Sequence, residues 1–189
     1  MMSGKILIFS APSGSGKTTI VRHLLNAFPN LEFSISACTR GKRDFEINGK
    51  DYYFLTVDEF RQKISEDEFL EWEEVYENNF YGSLKSELSR IWNKGNTVVF
   101  DIDVKGGLNI KRKYGDQALS IFVRPPSIDA LESRLRYRHT ENEETLKKRL
   151  DKANFEMSFS KDFDIELIND NLEQALKEAE EIVKNFLKH

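Results

Sequence analysis

The sequence predicts an α/β fold in which helices cover both faces of a parallel β-sheet, giving three layers. Three short apolar runs, at residues 5–9, 97–102 and 119–123, are typical of strands that are buried on both faces. Helical patterns separate and follow these runs, and such alternation indicates a parallel sheet. A glycine-rich turn directly after the first run, followed by a helical stretch at about residues 17–27, fits the same arrangement.

The C-terminal segment carries the clearest helical pattern. Its apolar residues recur at helical spacing on one face, namely Leu172, Ala175, Leu176, Ala179, Ile182, Val183, Phe186 and Leu187. Asp170 is expected to cap this helix, with Glu173 three residues later. We expect the apolar face to pack on the sheet.

Two segments interrupt the α/β pattern. Residues 33–83 combine polar, aromatic and charged side chains with short strand-like pieces, which predicts a small inserted subdomain. Residues 125–160 are helical and rich in arginine and lysine, which predicts a hinged cover. The core of this single domain would then comprise residues 1–32, 84–124 and 161–189.

Composition narrows the classes of partner. A net charge of −4 argues against a nucleic-acid-binding surface, because phosphate backbones select strongly basic faces. Cys38 is the only cysteine, so no intrachain disulfide can form, and one cysteine with three scattered histidines gives no Cys/His metal pattern. The N-terminal residues are too few for a signal peptide, and no apolar stretch approaches the length of a membrane span. We therefore expect a cytoplasmic protein.

The turn after the first apolar run matches the phosphate-binding pattern G-x-x-x-x-G-K-[ST], except that alanine replaces the first glycine. The predicted ATP-binding loop is Ala11, Pro12, Ser13, Gly14, Ser15, Gly16, Lys17 and Thr18. Its two glycines let successive N–H groups point at phosphate oxygens, and the following helix N-terminus adds positive charge. Lys17 is expected to contact the β- and γ-phosphates, and Thr18 to contact Mg²⁺. A purely structural turn with a solvated lysine is the alternative, but the motif stands in its required context of strand, loop and helix.

The second apolar run ends in Asp101. Beside a phosphate loop, a carboxylate in this position helps to hold the metal ion. Asp103 is expected on the same face, because side chains alternate along a strand. Ordinary polar residues at a strand end are the alternative for both positions.

The inserted segment supplies a second set of polar groups. Arg40 and Arg43 lie three residues apart on a predicted loop, and planar guanidinium groups match pairs of phosphate oxygens. Tyr52, Glu71 and Tyr81 add two phenols and a carboxylate. A ligand with one phosphate and one base that carries donor groups would use such a set.

Together these motifs resemble the guanylate kinase family over essentially the whole chain. The pattern S-x-x-T-R-x-x-R-x-x-E runs from Ser36 to Glu46, followed by N-G-x-x-Y at 48–52, E-W at 71–72, Y-G-S at 81–83 and D-I-D at 101–103. The resemblance implies a P-loop NTPase core with an inserted GMP-binding subdomain and a helical lid. It also implies ATP and GMP as substrates, with dGMP as a second acceptor candidate, Mg²⁺ as cofactor, and the reaction ATP + GMP → ADP + GDP.

The resemblance also implies roles for individual residues. On the GMP side these are Ser36 and Glu71 at the guanine edge, Arg40, Arg43, Tyr52 and Tyr81 at the phosphate, Glu46 as a support of the arginine loop, and Gly82, Ser83, Asp101 and Asp103 along the site. On the ATP side they are Arg134 and Arg138 in the lid pattern R-L-x-x-R-x-T-E-x-E, Arg149, and Asn169 near the adenine. Lys17, Arg40, Arg43, Arg138 and Arg149 would surround the transferred group. Lys42 stands where relatives commonly have proline, and His139 departs from the small residue often found after Arg138.

Two other functions remain at this point. The chain could phosphorylate another nucleoside monophosphate, which Ser36 and Glu71 argue against. It could also resemble the guanylate-kinase-like domains of scaffold proteins, which bind protein ligands without useful catalysis. Those domains usually lack an intact phosphate loop, whereas this chain keeps Gly16, Lys17 and Thr18.

Overall fold

The computed structural model describes residues 4–137 and 143–188. The strands in this part of the chain are β1 Ile6–Ser10, β2 Leu31–Phe33, β3 Ser36–Cys38, β4 Tyr53–Phe54, β5 Phe69–Tyr76, β6 Asn79–Leu84, β7 Thr97–Asp101, β8 Ala118–Arg124 and β9 Ile165–Ile168. The α-helices are α1 Lys17–Ala27, α2 Val57–Ser65, α3 Lys85–Trp92, α4 Val104–Tyr114, α5 Ile128–Tyr137, α6 Glu143–Met157 and α7 Leu172–Lys188.

The larger sheet confirms the predicted fold class. Its strand order is β2-β7-β1-β8-β9, and every neighbouring pair is parallel. β1 lies at the centre, with Ile6 opposite Val98 on one side and Ala118 on the other. All five residues of β1 are fully buried, and the apolar run predicts this for the first four, Ile6 to Phe9.

Helices form the outer layers of the larger sheet. α1 and α7 pack on one face, where Leu24 and Val183 join the same core as Leu7 and Val99. α3 and α4 cover the other face. The predicted packing of the C-terminal helix is therefore confirmed.

The predicted cap of that helix is wrong by one residue. The helix begins at Leu172, so the residue in the capping position is Asn171, whose Oδ1 accepts a hydrogen bond of 3.1 Å from the N–H of Gln174. Asp170 lies one residue too early for this contact.

A smaller sheet, with strand order β4-β3-β6-β5, occupies the segment between β2 and α3. β3 and β4 are parallel, whereas β6 pairs antiparallel with both β3 and β5. One face packs on α2, where Phe60 stacks between Phe69 and Phe80 with centroid distances of 4.3 and 5.3 Å. The other face carries polar side chains and turns towards the edge of the larger sheet.

The buried carboxylate of Glu87 joins the two sheets. It accepts hydrogen bonds from the Ile35 N–H at 2.7 Å, the Tyr53 hydroxyl at 2.9 Å and the Arg90 guanidinium at 2.7 Å. Arg90 in turn forms an ion pair with Glu32 on β2. Because a buried carboxylate needs partners, this network fixes the chain where it passes from one sheet to the other.

α5 and α6 form a helical pair beside the phosphate loop. Leu131 and Leu135 of α5 pack against Leu146 and Ala153 of α6. The division into core, inserted subdomain and lid stays a prediction. No helix in the described residues is both long and apolar enough to cross a membrane.

Phe60 provides a test of the small core. Phe60→Ala should lower the free energy of unfolding by about 3–5 kcal/mol, because the ring is fully buried between two other aromatic rings. Phe45→Ala is the control, since Phe45 is 78% exposed and its loss should change stability by less than about 0.5 kcal/mol. Urea unfolding can be followed by the fluorescence of Trp72, whose ring centroid lies 6.1 Å from that of Phe80. Equal stabilities for the two variants would contradict this packing.

Candidate active site

Three cavities open at the carboxyl ends of the larger sheet's strands. The first, the phosphate-loop cavity, has a volume of about 410 Å³. It is lined by Ala11, Pro12, Ser13, Gly14, Gly16, Lys17, Thr18, Thr19, Asp101, Ile102, Asp103, Arg149, Lys152 and Glu156. All predicted loop residues except Ser15 line this cavity. Ser15 is buried beneath the loop instead.

The loop depends on its two glycines. Gly14 and Gly16 have φ angles of +97° and +91°, a region that L side chains rarely adopt. A Cβ on Gly14 would also lie 3.0 Å from both Leu131 and Leu135, and a Cβ on Gly16 would lie 2.3 Å from the Asn169 amide nitrogen. The phosphate loop therefore packs against α5 and against the segment after β9, and neither contact leaves room for a side chain at Gly14 or Gly16.

Lys17 lies at the first position of α1 and forms an ion pair with Asp101 at the end of β7. Burial lowers the pKa of Lys17 to about 8, while the nearby carboxylates of Glu156 and Asp103 oppose this effect. No described side chain caps the N-terminus of α1. Its N–H groups and the Lys17 ammonium thus face a cavity suited to an anion.

Asp103 lies in the cavity for a reason other than the predicted strand alternation. β7 ends at Asp101, so the two aspartates do not share a strand. Asp103 instead caps α4, where its Oδ1 accepts hydrogen bonds from the N–H groups of Lys105 at 2.8 Å and Gly106 at 3.0 Å.

The second cavity, the base-side cavity, has a volume of about 190 Å³ and lies against the polar face of the smaller sheet. It is lined by Ser36, Tyr52, Glu71, Glu73, Val75, Tyr81, Gly82, Asp101, Ile102, Asp103 and Lys152. Ser36 pairs with Ser83 across β3 and β6, and Ser83 pairs with Glu71 across β6 and β5. Two hydroxyls and a carboxylate therefore form one row across three strands.

Glu71 is the carboxylate of this row, and its pKa is strongly shifted. Burial raises its pKa to about 7, Ser83 partly offsets this effect, and the negative charge of Asp103 adds to it. The carboxylate also lies against α4, because a Cβ on Gly106 would lie 2.7 Å from its Oε2. A glycine at position 106 thus makes room for Glu71. The sequence motifs did not identify this requirement.

The arginine loop is only partly assembled around the base-side cavity. Arg40 donates two hydrogen bonds, of 2.7 and 2.5 Å, to the Glu46 carboxylate and lies 4.9 Å from the centre of the Tyr52 ring. These bonds lower the pKa of Glu46 to about 2. Arg43 is exposed, and neither Arg40, Arg43, Glu46 nor Ser83 lines the cavity.

The third cavity, of about 500 Å³, lies behind the phosphate loop. It is lined by Gly14, Gly16, Thr19, Ser133, Arg134, Tyr137, Asn169, Asp170 and Leu172. Arg134 donates hydrogen bonds of 2.9 and 3.3 Å to the backbone oxygens of Asn169 and Asp170. The predicted residues Arg134 and Asn169 therefore meet here, whereas Arg138 lies outside the described residues.

The predicted metal ligands Thr18 and Asp101 line the same cavity. Among the described residues, no group of three or more His, Cys, Asp or Glu side chains could hold a metal ion by itself. Mg²⁺ usually takes one or two protein ligands and completes its shell with water and phosphate oxygens. The donor set therefore fits Mg²⁺ bound together with a nucleotide.

Several lining residues were not identified from the sequence, notably Thr19, Glu73, Tyr137, Lys152, Glu156 and Leu172. Lys152 and Glu156 follow Arg149 at intervals of three and four residues, which places all three on one side of α6. This spacing could have indicated from the sequence that the three residues share a site. It was not used, because an ordinary solvated helix face shows the same spacing of charged residues.

A phosphate loop, a lysine–aspartate pair and a second polar cavity at the same sheet edge define a phosphate-loop nucleotide-binding protein of the nucleotide kinase class. The family model for guanylate kinase matches residues 3–186, and the chain belongs to this family.

Several guanylate kinases are similar to this chain in sequence or in structure. The guanylate kinase of Bacteroides thetaiotaomicron is 52% identical over 186 residues, which cover 98% of this chain and 91% of the relative. That of Salinibacter ruber is 46% identical and covers 99% of both chains. The crystal structure of guanylate kinase from Anaplasma phagocytophilum aligns with a TM-score of 0.75 at 31% identity, covering 98% of this chain and 87% of that one.

The raised pKa of Glu71 predicts a pH-dependent stability. The folded chain binds the Glu71 proton with a pKa of about 7, against about 4.5 ordinarily, so ionisation destabilises the fold as the pH rises between these values. Glu71→Gln removes this penalty and should stabilise the protein relative to wild type at pH 8, by at most about 3 kcal/mol, and much less at pH 4.5.

Urea unfolding at both pH values measures this difference. Glu178→Gln removes an exposed carboxylate of α7 that lines none of the three cavities, and it serves as the control. A Glu71→Gln effect that is equal at the two pH values would contradict the environment described for Glu71.

Proposed function

We propose that this chain catalyses the ATP-dependent phosphorylation of GMP, ATP + GMP → ADP + GDP. The observation that carries the proposal is the meeting of two different cavities along Asp101, Ile102 and Asp103. One cavity has the phosphate loop and Lys17, and the other has a carboxylate and hydroxyls suited to a base. A donor phosphate and an acceptor phosphate would therefore meet at this edge.

Phosphoryl transfer here requires no covalent enzyme intermediate. A phosphate oxygen of GMP forms a new bond to the γ-phosphorus of ATP. The bond from that phosphorus to the β,γ-bridging oxygen breaks, and its electron pair leaves with ADP. Lys17 and the α1 N-terminus stabilise the negative charge on the donor phosphates, so catalysis rests on positioning and electrostatics.

Glu71 would select guanine. Guanine presents N1–H and an exocyclic amine as adjacent donors, and an ionised carboxylate can accept from both. Adenine has an unprotonated N1 in this place, which would leave the half-buried carboxylate facing a lone pair. The Ser36 hydroxyl lines the same cavity and can donate to the guanine O6. Mismatched hydrogen bonds of this kind can reject the wrong base by about 10⁴-fold.

The GMP phosphate would lie towards Arg40, Tyr52 and Tyr81. Glu46 already holds Arg40 against the Tyr52 ring, so this guanidinium is oriented in advance. We propose that the exposed Arg43 moves inward only when the phosphate is bound. Such a movement would explain why Arg43 does not line the base-side cavity in the unliganded protein.

ATP would occupy the phosphate-loop cavity and the cavity behind it. Arg134 and Asn169 would contact the adenosine, and Arg149, with Arg138 as a further candidate, would contact the phosphates. We propose Mg²⁺ as the cofactor, held by Thr18 and Asp101, where it would neutralise phosphate charge.

Residues 33–83 would act as the GMP-binding subdomain and residues 125–160 as the lid, closing together to exclude water. The free, buried thiol of Cys38 suits a cytoplasmic enzyme.

A coupled assay of ADP release tests the proposal against its alternatives. The acceptors are GMP, dGMP, AMP, UMP, CMP and dTMP, each with MgATP. Turnover should be highest with GMP or dGMP, and kcat/KM with AMP should be lower by about 10⁴-fold. Higher kcat/KM with another acceptor would assign a different base. No turnover with any acceptor would favour a binding domain without catalysis.

Lys17 tests the role of the phosphate loop. Lys17→Met should lower kcat by at least about 100-fold, because a buried donor to the transferring charge is lost. The KM for GMP should change only a few-fold, since Lys17 does not line the base-side cavity. Lys177→Met removes an exposed lysine paired with Glu173 on α7 and is the control. Near-normal kcat in a folded Lys17→Met variant would contradict the assignment.

A further inference from the structure

One side of α6 faces the place where the two substrate cavities meet. Leu146, Leu150 and Ala153 turn towards α5, whereas Arg149, Lys152 and Glu156 line the phosphate-loop cavity. Lys152 also lines the base-side cavity. Among the described residues it is the only cation that lines both.

Lys152 forms a loose ion pair with a buried carboxylate. Its Nζ lies 3.8 Å from Oε1 of Glu156, whose side chain is 9% exposed against 66% for that of Lys152. Burial raises the pKa of Glu156, and the positive charges of Lys152 and Lys17 oppose this rise. Glu156 thus interacts electrostatically with both the lysine of the phosphate loop and the lysine of α6.

The ion pair leaves the ammonium group able to bind a second anion. A separation of 3.8 Å is longer than a hydrogen bond, so the contact is electrostatic and most of the lysine stem is in solvent. A flexible four-carbon stem can move a compact charge by a few ångströms. The carboxylates of Asp101 and Asp103 flank the same region and would repel incoming phosphates without an added cation.

We propose that Lys152 is a further catalytic residue, which contacts the phosphoryl group as it passes from ATP to GMP. Its ammonium neutralises charge on the transferred group between Lys17 on the donor side and Arg40 on the acceptor side. This inference rests on the proposed function, since it assigns the two cavities to ATP and GMP. It predicts an effect on kcat larger than on either KM, because the charge at the junction develops during transfer.

The test compares Lys152→Met, Lys152→Arg and Lys148→Met with wild type, using MgATP and GMP. Lys152→Met should lower kcat by about tenfold or more, with both KM values within about threefold. Lys152→Arg should recover most of kcat, because it restores the positive charge. Lys148 is the matched control, since it lies one turn earlier on α6, forms an ion pair with Glu144 and lines neither cavity.

A second comparison separates contact with the substrate from simple neutralisation of Glu156. If Lys152 only neutralises that carboxylate, Lys152→Met should have no effect on kcat in a Glu156→Gln background. Contact with the phosphoryl group predicts a similar loss of kcat in both backgrounds.

Three outcomes would overturn the inference: a kcat for Lys152→Met within twofold of wild type, an equal loss in Lys148→Met, or no loss in the Glu156→Gln background. An inactive wild type would instead contradict the proposed function itself.

Discussion

The ion pair between Lys17 and Asp101 depends on the parallel order of the central sheet. β1 and β7 are neighbours and run in the same direction, so both end at one edge. The loop after β1 therefore delivers Lys17 to the side chain at the end of β7. The Lys17 ammonium and the N-terminus of α1 then supply the positive charge at the place where phosphates would bind. The other two cavities lie at the same edge of the larger sheet, because the smaller sheet and α5 both pack there.

Burial disfavours the charged form of two ionisable groups in the site. Burial lowers the pKa of Lys17 to about 8 and raises that of Glu71 to about 7. Each would gain a partner of the right kind from a substrate, a phosphate for Lys17 and a pair of N–H donors for Glu71. We interpret both groups as parts of a site whose charges are satisfied only when the substrates bind. Perturbed pKa values of this kind are common at functional sites.

Local patterns explain how far the sequence predicts this structure. The turn between β1 and α1, the buried strands and the apolar face of α7 are encoded within short stretches, and their places in the fold were predicted correctly. Contacts between distant segments were not accessible in the same way. The space that Gly106 gives to Glu71, and the position of Lys152 between two cavities, depend on how α4 and α6 pack against other elements. The capping role of Asp103 was missed because the end of β7 could not be placed to the residue.

Recognition of guanine by an ionised Glu71 can be tested through the pKa of its carboxyl group. ¹³C NMR of protein labelled at the glutamate carboxyl carbon, with Glu71→Gln to assign the signal, gives this pKa with and without nucleotide. We expect a pKa of about 7 without ligand, a fall below the usual range of glutamate with saturating GMP, and no such fall with AMP. A pKa that stays near 7 with saturating GMP, or falls equally with AMP, would contradict the account.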